Sequence, residues 1–133
     1  MSLPAGVWRS ANAGLAQQAR PLLLAAGATL DKASLLQALA EALQFPDYFG
    51  HNWDAAWDCL TALDWPPGDA IALLLPLEPG QAVDDDDLAL FIDLLAEAAE
   101  HWQPQRRQLA LLLLTERHDL PCLAGVPELN GPS

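Results

Sequence analysis

Three uninterrupted apolar runs limit what this chain can fold into: Pro21-Leu-Leu-Leu-Ala-Ala-Gly27, Ala70-Ile-Ala-Leu-Leu-Leu75 and Leu109-Ala-Leu-Leu-Leu-Leu114. Each falls well short of the roughly 20 apolar residues that a membrane-spanning helix needs. None alternates apolar with polar, as a strand with one wet face would. Glycine or proline punctuates the first two, so the runs read as short strands buried on both faces. Such strands belong in parallel sheets, which are closed by crossovers that lay helices over them.

Helical patterns stand between the runs, where those crossovers require them. Asp31 caps a helix whose Leu35, Leu36, Leu39 and Leu43 make one apolar stripe. Asn52 caps a second, reaching about Leu63, in which Trp53, Ala56, Leu60 and Leu63 recur at spacings of three and four. A third runs through Leu88, Phe91, Ile92, Leu95, Ala98 and Ala99 and stops near Trp102 and Pro104. The order β-α-α-β-α-β predicts an α/β fold: a small three-stranded parallel sheet with right-handed crossovers, covered by helices. A chain of 133 residues is one domain by length and can bury about two thirds of its unfolded surface. Its core is expected over about 21–114. Residues 1–20 form an N-terminal extension with at most a short helix, in which Trp8 packs on the body. From Thr115 onward, prolines and glycines predict an irregular tail, 115–133, on the surface.

One stretch departs from generic scaffold. Pro46 and Gly50 bracket a turn that carries Tyr48 and Phe49, and Asn52 then starts the central helix. Asp54 and Asp58, four apart, share a face that Thr61 continues, with Trp57 on the border between this face and the apolar one. Like charges at this spacing destabilise a helix by about 0.2–0.5 kcal/mol. Asp54 recovers part of that from the positive end of the helix dipole, and Asp58, a turn further in, recovers less. A solvated acidic face is the plain explanation of such a pair. Aromatic anchors beside uncompensated charge are instead the composition of a protein-binding hot spot.

The segment Pro46 to Thr61, P-D-Y-F-G-H-N-W-D-A-A-W-D-C-L-T, resembles the core motif of the barstar family, the intracellular inhibitors of barnase-type ribonucleases. The resemblance runs without a gap through loop, cap, both aspartates, the second tryptophan, the cysteine and the threonine. Element order extends it over about 21–114, since the family has the same architecture. It implies that the loop and central helix plug the active site of a small basic ribonuclease, with aspartates standing in for RNA phosphates. Asp58 would be the main anchor, paired to arginines and the general-acid histidine of the enzyme, and Asp54 would pair at the rim. Tyr48 would pack on the catalytic histidine, and Phe49, Gly50, Asn52, Trp57 and Thr61 would fill the contact surface. Glu97 best matches a glutamate that the family uses on its last helix, with Glu100 in reserve. Three departures bear on which partner is taken: His51 replaces a usual acid, Leu63 stands where the family has an interface tryptophan, and both ends are extended.

Charge narrows the alternatives. Six Lys and Arg against 18 Asp and Glu give a net charge of −12, and Lys32 is the sole basic residue between Asp31 and Glu100. Such a surface repels nucleic-acid backbones and attracts a basic protein. No basic start followed by an apolar core and cleavage site opens the sequence, so the expected location is the cytoplasm, without membrane contact. Cys59 and Cys122 lack metal-ligand spacing and read as reduced thiols. The run Asp84 to Asp87 invites a calcium site, but consecutive aspartates at a helix start cannot all face one ion, and acidic residues suit a first helical turn. His51, Asp54 and Asp58 come with no nucleophile, phosphate loop or metal constellation, so neither enzyme activity nor a cofactor is expected. The expectation is a ribonuclease inhibitor, monomeric when free; the alternative is a barstar-like binding module regulating a partner that is not a ribonuclease.

Overall fold

The apolar runs come to lie side by side. The computed structural model of the protein describes residues 5–11, 21–24, 27–45, 52–63, 70–117 and 119–128. Along the chain these form β1 (Gly6–Ser10), β2 (Pro21–Leu23), β3 (Thr29–Leu30), α1 (Lys32–Leu43), α2 (Trp53–Thr61), β4 (Ala70–Pro76), β5 (Ala82–Val83), α3 (Asp85–Trp102) and β6 (Gln108–Leu114), with short 3-10 turns at Gln103–Gln105 and Pro121–Gly125. The main sheet has the order β1-β6-β4-β2, and every neighbouring pair is parallel.

Register explains why β4 and β6 are apolar throughout. Leu73 pairs with Leu111 and Leu75 with Leu113, and these side chains join the large core under the helices. Ala72 pairs with Ala110 and Leu74 with Leu112, which face the other side of the sheet, where half-buried Trp8 packs on them. Helix α3 lies against β6 and β1, and α1 and α2 pack on α3. Leu35, Leu36 and Leu39 of α1, Leu60 of α2, and Leu88, Phe91 and Leu95 of α3 are all fully buried. Each such side chain contributes about 1.5–3 kcal/mol by leaving water.

The helix starts follow their capping chemistry. Asp31 and Ser34 satisfy each other's backbone N–H groups in a capping box, both at 2.9 Å. The aspartates before α3 point different ways. The Asp84 carboxylate accepts from Asp87 N at 3.1 Å, Asp87 accepts from Lys32 N at 2.8 Å, and Asp85 accepts from Cys122 N at 3.0 Å. Three of the four therefore serve helix start and tertiary clasp, as the helix-start reading of this run requires.

The structure corrects the sequence expectation in three places. The main sheet has four strands rather than three, because Gly6–Ser10, given no structure beyond a short helix, is a strand pairing with β6. Only Val7 and Ser10 of that strand are buried, so its apolar pattern is too weak to show in isolation. A separate two-stranded ladder joins β3 to β5, each two residues long and below the length at which periodicity speaks. Finally, the tail is not merely superficial: Leu120, Leu123 and Val126 are buried in the core. Leu123 lies within the 3-10 turn, and Leu120 and Val126 flank it in extended conformation, in a segment whose prolines read in sequence as a break. Arg117 ties this tail down by donating to the carbonyls of Glu78 and Gln81 and pairing with both oxygens of Asp119 at 2.9 and 2.7 Å. The tail then runs beside β1, where Arg9 N donates to Pro127 O and Arg9 bridges Glu128.

Candidate functional site

Helix α2 is short and firmly seated. Asn52 has extended backbone, with φ −132 and ψ 167, and its Oδ1 accepts from Ala55 N at 2.7 Å. Ala56 and Leu60 are fully buried, and Trp53, Trp57, Cys59 and Leu63 pack partly against the same core. With the inner face so occupied, Asp54 and Asp58 stand exposed on the outer one. Among the described residues no ion pair reaches either carboxylate. Asp58 adds to burial in pushing the neighbouring Cys59 thiol up from its ordinary value.

The other predicted residues fall in different places. Thr61 is half-buried and its hydroxyl donates to Trp57 O at 2.9 Å and Asp58 O at 3.3 Å, so its donor is used within α2. Leu63 packs against the core. Glu97 is exposed on α3. It lies one turn before His101 and hence on the side of α3 that meets α2, whereas Glu100, adjacent to His101, is rotated away by about 100°. Tyr48, Phe49, Gly50 and His51 lie outside the described residues.

Sequence reasoning missed what locks α2 to α3. The Trp57 and His101 rings meet edge-on, with centroids 5.9 Å apart and planes at 73°. His101 meets Trp102 in the same manner at 5.0 Å and 86°. Trp102 Nε1 donates back to Leu60 O at 2.9 Å in the buried interior, and the Arg107 guanidinium sits 5.5 Å over the Trp102 ring. The pair His101-Trp102 at the end of α3 was a visible signal, but its connection to α2 is a tertiary fact that no periodicity reveals.

An acidic face on a helix that is buried behind and clamped at its side fits the residue pattern of the central motif. Residues 19–114 match the family model Barstar (barnase inhibitor). The chain belongs to the barstar family. Members of the barstar family inhibit rather than catalyse, in agreement with the non-enzyme reading. The matched span takes in β2 to β6 and leaves β1 and the clasping tail beyond it. Over a 23-residue stretch the chain is also 65% identical to "Putative ribonuclease inhibitor YrdF" of Bacillus subtilis (strain 168). That stretch is 17% of this chain and 25% of the relative, so the likeness spans a quarter of the relative's length. Among the described residues, no helix is long and apolar enough to cross a membrane.

Proposed function

We propose that this protein inhibits a small basic ribonuclease of the barnase type by laying the outer face of α2 into its active site. The observation that supports this best is the pair of exposed carboxylates, Asp54 and Asp58, which no ion pair reaches among the described residues, on a helix whose other faces are held by the core. A carboxylate of this kind is free to form charge-assisted hydrogen bonds with arginine or histidine. Because α2 is capped and clamped beforehand, little ordering cost falls on binding. Asp58 is the main anchor and Asp54 the rim contact, with Trp57 beside them as the aromatic element at the border of the face and Glu97 extending the acidic surface onto α3. Asn52 holds the start of the helix, Thr61 closes the surface at its far end, and Tyr48, Phe49 and Gly50, which precede α2 in sequence, complete the contact with the partner. The inhibitor acts in the cytoplasm and is monomeric when free.

RNA cleavage by a panel of small basic ribonucleases, barnase among them, titrated with wild type and Asp58→Ala tests this reading. Stoichiometric silencing of at least one enzyme by wild type, with the variant much weaker, supports it. If no member is inhibited, or both forms inhibit equally, α2 is not a ribonuclease plug, and a partner of another class takes the acidic face.

A further inference from the structure

His101 is exposed, yet its ring is held at two edges, by Trp57 of α2 and by Trp102 of its own helix. Centroid separations of 5.9 and 5.0 Å with steep interplanar angles are the preferred edge-to-face geometry of aromatic pairs. The connection closes on itself: Trp102 returns to α2 through its hydrogen bond to Leu60 O, and Arg107 covers the Trp102 ring. Two buried leucines or a buried phenylalanine would suffice to pack one helix on another. Here the outermost ring of the seam is left in solvent, beside Trp57 on the border of the acidic face.

We propose that His101 is a positioning residue of the partner-binding surface: wedged between Trp57 and Trp102, it fixes the Trp57 ring and so sets Asp54 and Asp58 of α2 in register with Glu97 of α3. This rests on the ribonuclease-inhibitor reading above. A competing role follows from position alone, because His101 lies in the last turn of α3, where a cation complements the negative end of the helix dipole. Substitution separates the two. His101→Phe keeps a ring and removes the basic group, while His101→Lys places a cation there and removes the ring.

The experiment measures inhibition of barnase, or of whichever ribonuclease in the panel wild type binds more tightly, by these variants, by His101→Ala, and by each substitution in a Trp57→Ala background. His101→Ala and His101→Lys should weaken inhibition about two- to tenfold, the range for one aromatic pair, and His101→Phe should stay within about twofold of wild type. In the Trp57→Ala background the loss caused by His101→Ala should vanish, an outcome that a merely structural role for His101 would not produce. Rescue by Lys instead of Phe, or a full loss that persists without Trp57, overturns the proposal. Sensitivity to Asp58→Ala with indifference to His101→Ala overturns it too, while leaving the inhibitor reading in place. Failure of wild type to bind any ribonuclease removes both. Should His101→Ala fail to fold, the contrast between Phe and Lys decides by itself.

Discussion

Asp58 is a carboxylate for which the helix has no use: it sits too deep to gain from the dipole, beside Asp54, on a face open to solvent. Removing it should therefore leave the fold intact and show its effect in binding. Asp58→Ala is expected to weaken inhibition by about 2–5 kcal/mol, or ~30-fold to ~4,000-fold, in a tight-binding titration with unchanged thermal melting. That range is the general cost of truncating one partner of a buried hydrogen-bonded charge pair; close charge pairs between barnase and barstar couple by about 1.5–7 kcal/mol, and neither figure is deduced from this chain's geometry. Asp119 is the opposite case, a carboxylate with a structural partner. The Arg117 guanidinium holds it down at about 2, below its ordinary 3.8. A depressed folded value means that the pair's stabilisation is present above about pH 4 and is lost as the pH falls through about 2. Because Asp119 is exposed, the difference in melting temperature between wild type and Asp119→Asn should be small at neutral pH and should shrink to nothing across that window in a calorimetric series.

Among the elements, α2 depends most on its cap, because nine residues are too few for a helix to persist by propensity alone. Asn52→Ala removes the acceptor for Ala55 N and is expected to cost about 1 kcal/mol in urea denaturation, with a smaller parallel loss of inhibition. The cap, the apolar stripe and the acidic face of this helix were all legible in sequence, since each is a local pattern of residue type and spacing. So were β4 and β6, whose burial on both faces leaves an unbroken apolar run. Elements whose stability comes from distant partners were not legible. Strand β1 has only two buried side chains and exists because β6 offers it an edge. The tail looked irregular because its three buried side chains lie in and on either side of a short 3-10 turn that begins with a proline. At the candidate site, the carboxylates could be read from spacing. His101 could not, since what distinguishes it is a ring 44 positions earlier in the chain, on another helix.

For the whole molecule, charge governs encounter. A net charge of −12 with a single lysine between Asp31 and Glu100 gives a long-range attraction toward a cationic enzyme. Stopped-flow association should slow steeply as salt shortens the screening length from about 10 Å at 0.1 M, while dissociation changes far less. An association rate indifferent to salt would mean that the partner is not strongly basic. The sheet adds a constraint of another kind, on the order in which the protein can come into being. Strand β1 is made about a hundred residues before β6, its neighbour in the sheet, and Arg9 is further fastened to Val126 across 117 positions. Until translation has passed Leu114, β1 has no edge to join, and the strand must be carried unpaired across that interval. If the inhibitor reading proposed above holds, a ribonuclease made in the same cell would meet no finished inhibitor during that interval.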